Sequence, residues 1–138
     1  MQLSRDLFFS SIGELAALIR SRKLSPVALT EGYLARLETE GAKLGAVAES
    51  MPARALAEAR EAEREIKAGR YRGPLHGIPY GAKDLLATRG ARTTWGAAPY
   101  REQQFDFDAT IVERLRRAGA ILTAKLAMIE FAGGMGYN

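Results

Sequence analysis

The sequence predicts an α/β fold in which helices pack on a sheet with parallel strands. Three observations predict it. The first third has the apolar spacing of helices, with start signals at Ser11 and Ser25. Two strand-like runs, Ile78 to Lys83 and Ala120 to Ala124, flank an amphipathic helix between Asp108 and Gly119. Strand, crossover helix and strand form a βαβ unit, whose strands run parallel. The chain of 138 residues is long enough for one domain with a core of its own.

The elements follow in order. Ser11 and Glu14 form an S-x-x-E capping box, and Ile12, Leu15, Ala16 and Ile19 then share a helical face. Ser25-Pro26 is a second start, with serine as N-cap and proline at the first helical position. Leu29, Tyr33 and Leu37 continue it, and Gly41 and Gly45 bracket its exit. A short strand is expected at Ala46 to Ala48. Pro52 opens a long helix to about Ala68, whose narrow stripe of Ala55, Ala59, Ala62 and Ile66 implies close packing on a neighbour. Its other face pairs Glu61 with Arg64 and Glu63 with Lys67, as a solvated helix face does. Residues 85 to 107 show no periodicity, and a stretch that long in a compact domain is functional or disordered. Asp108 is expected to cap the next helix, with Ile111, Leu115 and Ala118 facing inward. The expected organisation is one partial domain, mostly helical over 1–70, with the start of the βαβ core at 71–138.

Composition excludes several functions. There is no cysteine and one histidine, which removes disulfides, iron–sulfur clusters, a thiol nucleophile and multi-Cys/His zinc sites. The net charge of +4 is modest and the signs alternate. Arg114, Arg116 and Arg117 read as the solvated end of a helix rather than a nucleic-acid stripe. Met1 to Ser10 lacks the apolar core of a signal peptide, and no apolar run approaches the ~20 residues of a membrane span. The expected location is therefore the cytoplasm, with no direct nucleic-acid or membrane contact.

Lys83 is the most informative residue. It falls at the carboxyl end of a predicted strand, where open α/β sheets place their sites. Gly81, Ala82 and Leu85 around it offer little to hydrate an ammonium, and desolvation favours the neutral amine. A neutral lysine can take a proton from a serine. The plainer alternative is a surface lysine paired with Asp84. His76, between Leu75 and Gly77, reads as a structural hydrogen-bonding residue, since no G-x-S-x-G elbow exists. The run Gly133-Gly134-Met135-Gly136 matches no phosphate-binding pattern and reads as a loop that closely approaches a pocket. The hydroxyls of Thr93 and Thr94 either orient a buried lysine or cap loop backbone.

At these residues the chain resembles a family. Gly73-Pro-Leu-His-Gly-Ile-Pro-Tyr-Gly-Ala-Lys-Asp84 is similar to the G-P-L-x-G-x-P-x-x-x-K-D segment of the amidase signature enzymes. Thr93-Thr94-Trp95-Gly96 resembles their T-T-x-G element. Asp108 to Leu115 with Ala118-Gly119-Ala120 resembles D-A-x-x-V-x-x-L…A-G-A, and the stretch from Lys125 resembles K-x-x-M-x-E-F-A-x-G. The resemblance covers nearly the whole chain, in order. It implies the N-terminal part of a fold with helices on a mixed, largely parallel sheet, incomplete in this chain. It also implies carboxamide hydrolysis by a Ser–cis-Ser–Lys triad, with no metal or organic cofactor. Lys83 matches the catalytic lysine. Phe131, Ala132, Gly133 and Gly134 match a stretch near the acyl pocket, a substrate-binding expectation. Both serines belong to a Gly/Ser-rich signature that this sequence does not contain, so the fragment alone is expected to be inactive. The implied partners are a small-molecule amide and the remainder of the amidase chain, with a homo-oligomer left open. Three alternatives stand beside this reading: a tRNA amidotransferase component of the same family, a non-catalytic binding or assembly module, and a small nucleotide-binding βαβ unit.

Overall fold

The structure is a computed structural model, and it describes residues 3–133. A short 3-10 turn at Arg5–Phe9 precedes helix α1 (Ile12–Arg20). The capping box of α1 is present in both directions. Ser11 Oγ accepts from Glu14 N, and the Glu14 carboxylate accepts from Ser11 N at 2.8 Å. Helix α2 (Pro26–Arg36) starts with Ser25 Oγ accepting from Ala28 N, and runs on into a π-helical turn at Leu37–Gly41. Tertiary contact extends this cap, because Ser25 Oγ also donates to Glu63 at 2.5 Å.

The first strand, β1 (Val47–Ser50), lies slightly later than its expected place. Helix α3 (Pro52–Lys67) buries Ala55, Ala59, Ala62 and Ile66, the stripe expected from the sequence. The methyl-sized side chains let α3 sit closely on its neighbours. Ala55 and Ala59 pack with Leu34 of α2 and Ile121. Strand β2 (Pro79–Lys83) and strand β3 (Ile121–Leu126) run parallel, joined through α4 (Thr110–Arg117). The sheet order is β1-β3-β2, with β1 antiparallel to β3, so the three-stranded sheet is mixed.

Neighbouring residues of β3 serve different packing clusters. Ile121 joins the α2–α3 cluster, while Leu122 packs with Met51, Ala82, Ala91 and Val112. A third cluster gathers Leu15, Ile19, Leu24, Leu29, Ile66 and Ile78 beneath the helices.

Helix α4 departs from expectation in two ways. Its N-cap is Ala109, and Asp108 makes no cap. The Asp108 carboxylate is held instead by Arg54 at 3.1 and 2.9 Å and by Arg89 N at 2.8 Å. The most buried residue is Val112, Leu115 and Ala118 are half-buried, and Ile111 is exposed. Ala109 N donates to Ala87 O at 2.8 Å, which anchors the helix start and sets its rotation. The helix stops at Gly119, whose φ of +85° and contact with the His76 ring leave no room for a Cβ. No helix among the described residues is long and apolar enough to cross a membrane.

Candidate active site

Pleat alternation decides the fate of Lys83. Around the end of β2, Ala82 and Asp84 are buried, while Gly81, Lys83 and Leu85 are exposed. Lys83 stands opposite Leu126 at the carboxyl end of the strand, and Asp84 N continues the ladder to Leu126 O at 2.9 Å. The dry surroundings expected for Lys83 are therefore not supplied by the described residues. The alternative pairing with Asp84 does not form either, because Asp84 faces inward to another partner.

That partner is Lys125, which is fully buried. Its Nζ donates to Asp84 Oδ1 at 3.1 Å, Thr93 Oγ1 at 2.8 Å and Arg92 O at 3.1 Å. An ammonium has three donors, and all three are used. Burial pushes the Lys125 pKa down, and the bond and charge of Asp84 oppose that shift. Of the two readings open for the loop threonines, Thr93 meets both: it orients a lysine, which is Lys125, and its hydroxyl donates to the loop carbonyl of Leu86 at 3.4 Å. Thr94 holds the carboxylate and the loop backbone instead of a lysine. Its N–H and hydroxyl donate to the Asp84 carboxylate, and its Oγ1 accepts from Gly96 N at 3.2 Å.

The same loop reaches the segment after β3. Trp95 N donates to Asp84 O at 3.2 Å, and Trp95 O accepts from Phe131 N at 2.8 Å. Trp95 (φ +55°), Phe131 (+51°) and Ala132 (+55°) all hold left-handed backbone without being glycine. Such conformations cost about 1–3 kcal/mol each and persist where surrounding bonds over-determine them. Trp95 also clusters with Tyr100, Phe105 and Phe131 at ring separations of 4.9, 6.2 and 6.3 Å. Phe131, Ala132 and Gly133 are exposed. Gly134 lies outside the described residues, as does the rest of the glycine run.

A cleft of about 330 Å³ opens beside this network, walled by Glu49, Asp84, Arg92, Thr94, Gly96 and Arg101. Arg92 bridges its rim, with Nε 3.0 Å from Glu49. Among the described residues no group of three His, Asp or Glu side chains converges as metal ligands would.

His76 is placed structurally. It is fully buried, and Nδ1 accepts from Arg72 N at 3.1 Å. Nε2 lies 3.2 Å from Glu65, outside hydrogen-bonding geometry. Burial and the nearby Arg72 charge hold its pKa below the ordinary histidine value, against Glu65.

Relatives extend this picture. The sequence profile of the amidase family, described as "Amidase", matches residues 28–138. This chain belongs to the amidase family. The AmiD protein of Mycobacterium bovis is 46% identical over 125 residues, which is 91% of this chain and 26% of AmiD. The A component of the glutamyl-tRNA(Gln) amidotransferase of Methylococcus capsulatus is 40% identical, over 90% of this chain and 25% of that component. The native peptide amidase of Stenotrophomonas maltophilia superposes with a TM-score of 0.83 at 37% identity, over 88% of this chain and 25% of that one. The chain spans about a quarter of the length of the relatives it matches. Its α/β fold is that of amidase signature enzymes, over that quarter.

Two features of this amidase-family site escaped the sequence. One is the Lys125–Asp84 pair. A signal for it existed, because Lys125 directly continues the buried run Ala120 to Ala124, and a lysine there requires a carboxylate. The other is Arg54, which joins Asp108 and Glu58 at 2.9 and 2.8 Å, residues 54 and 4 positions away. These bonds raise the Arg54 pKa despite its burial. No local spacing announces a partner so distant.

Proposed function

We propose that this chain is the lysine-bearing part of a carboxamide hydrolase that works through a Ser–cis-Ser–Lys triad. In this reading Lys83 is the general base. The nucleophilic serine attacks the amide carbon, and its proton passes through the bridging serine to the Lys83 amine. The tetrahedral intermediate collapses as the leaving amine takes that proton back. Water then hydrolyses the acyl-serine ester, by the same relay. Both serines come from a Gly/Ser-rich segment that residues 1–138 do not contain, and that segment is the partner the site requires. Phe131, Ala132, Gly133 and Gly134 lie along the acyl side of a small-molecule amide. The enzyme works in the cytoplasm, without metal or organic cofactor.

One observation carries the reading. Lys83 ends a sheet strand with an exposed side chain that forms no ion pair or hydrogen bond among the described residues. The nearest carboxylate in sequence, Asp84, is occupied by Lys125. An unencumbered amine at a strand's carboxyl end is available to a hydroxyl delivered from elsewhere.

The test is Lys83→Ala in the serine-bearing enzyme, assayed by ammonia release from a simple carboxamide. Loss of a triad member is expected to lower kcat/KM by about 10³-fold or more, with the melting temperature unchanged. Activity near that of the parent would overturn the role of Lys83. Amide hydrolysis by residues 1–138 alone would overturn the division of labour. A second reading, a component of a tRNA amidotransferase, is favoured by the 40% identity to the Methylococcus capsulatus protein. It predicts that turnover depends on added companion proteins.

A further inference from the structure

We propose that the buried Lys125–Asp84 pair is a positioning clamp that holds the Trp95 turn, and through it the Phe131–Gly133 segment, in fixed relation to Lys83. The proposal rests on the reading of Lys83 as the base, and adds a residue on which that reading is silent.

The bonds form a closed circuit. Lys125 on β3 grips Asp84 at the end of β2 and Thr93 and Arg92 in the loop. Asp84 grips Thr94 through its carboxylate and Trp95 through its carbonyl. Trp95 grips Phe131, and four residues of chain, 127–130, return from Phe131 to the end of β3 at Leu126. Lys83 is covalently next to Asp84 and thus takes its place from the same circuit. Glu49 stands opposite Lys125 in the β1–β3 register, but Arg92 occupies it through both its backbone N and Nε at 3.0 Å. Asp84 is therefore the carboxylate that answers the buried ammonium.

Stability alone is a weak reason to keep such a pair. Two charges lose their hydration on burial, and apolar replacements of similar volume often serve as well or better. Geometry is the stronger reason. The three left-handed residues of the site, Trp95, Phe131 and Ala132, need neighbours that hold them there, and two are tied to the circuit by a backbone bond. With every Nζ donor engaged, Lys125 is not itself a base. It acts through what it holds. A catalytic group displaced by about 1 Å can lose about 10²-fold in rate.

Trp95 is the one tryptophan of the chain, so its fluorescence reports the clamp directly. The variants are Lys125→Met, the apolar double variant Asp84→Leu/Lys125→Met, and the milder Thr94→Val. Thermal melts are read by circular dichroism, and Trp95 by acrylamide quenching at a temperature where each variant is folded. The single Lys125→Met variant should melt lowest. The double variant should regain much of its melting temperature, yet keep a quenching constant raised about twofold, because the turn is no longer held. Thr94→Val, which removes the hydroxyl's bonds to Asp84 and Gly96 N but leaves Lys125 paired, should fold and show a smaller rise. In the serine-bearing enzyme the double variant should lose about tenfold or more in kcat/KM. Quenching that recovers together with the melting temperature would make the pair merely structural and overturn the proposal. So would parental quenching in Thr94→Val. Lys83→Ala should leave Trp95 quenching unchanged, so failure of the clamp and failure of the Lys83 reading appear in separate measurements.

Discussion

The helical layer of α1 to α3 and the loop of residues 85 to 107 are both well packed, by opposite means. The helices bury apolar stripes. Leu15, Ile19, Leu29 and Ile66 meet in one cluster, and Ala55 and Ala59 lie flush against Leu34 and Ile121. The loop buries polar groups. Thr88 and Thr93 of the loop, and Asp84 and Lys125 at the strands it covers, are almost wholly inaccessible, and almost every one of their bonds reaches across at least several residues of chain. Apolar packing is forgiving in direction, because dispersion and hydrophobic burial depend on area and fit. Hydrogen bonds and ion pairs depend on angle and partner, and leaving one unmade is expensive. The helical layer is therefore built for stability, and the loop for a defined geometry at the edge where Lys83 stands.

Substitutions in each region sharpen that contrast. The largest effect is expected in the helical layer. Leu29→Ala leaves a cavity in a fully buried position and should cost about 3 kcal/mol of unfolding free energy, measured by urea titration. It should leave acrylamide quenching of folded Trp95 at the parental value. A loosened Trp95 in that variant would break the contrast, because the two regions would then share one packing unit.

Gly96→Ala is expected to come next, at about 2 kcal/mol. Gly96 has φ +68°, and a Cβ there would lie 2.6 Å from Met128 O, which is backbone and cannot step aside. Unlike Leu29→Ala it should raise the quenching of Trp95, because the strain falls on the turn itself. A melt and a quenching series on one sample check both halves of the expectation.

The smallest effect concerns pH and His76. Burial holds its pKa below 6.5, so the folded protein binds fewer protons there than the unfolded chain. The associated stability is complete above about pH 6.5 and is lost as pH falls from there through the depressed folded value. Melting temperatures should therefore decline on the acid side of neutrality. A His76→Asn variant should show a flatter decline over the same range. An unchanged slope would show that His76 does not govern the decline; the contribution of Asp108, whose pKa is lowered by Arg54 and Arg89 against its burial, is lost only at more acid pH, below the ordinary carboxylate value.

Reading the sequence alone succeeded where partners are near in the chain. The capping box of Ser11 and Glu14 and the Ser25-Pro26 start are contacts over three residues or fewer. The alanine stripe of α3 is a period that one helix displays by itself. The parallel relation of β2 and β3 follows from the helix between them. The order of motifs that marks an amidase is likewise a property of the string. Reading failed where a partner is remote. Asp108 has the composition of a cap, but Arg54 lies 54 residues away and outcompetes the helix end. Ile111 and Val112 are equally apolar, and it is the remote cluster of Met51, Ala82, Ala91 and Leu122 that takes Val112 inward.

The two lysines mark the same boundary most clearly. Sequence determined that Lys83 closes a strand and that Lys125 follows a buried run. The local surroundings of Lys83 pointed to it as the dry one, and the run before Lys125 did not by itself single that residue out. Tertiary structure decided otherwise, by turning Asp84 inward on the pleat and bringing Thr93 and Arg92 over β3, so that Lys125 Nζ found three acceptors and the Lys83 side chain stayed outside. The physical reason is that a buried charge is set by the sum of its acceptors, and here each of them lies 32 to 41 residues away along the chain.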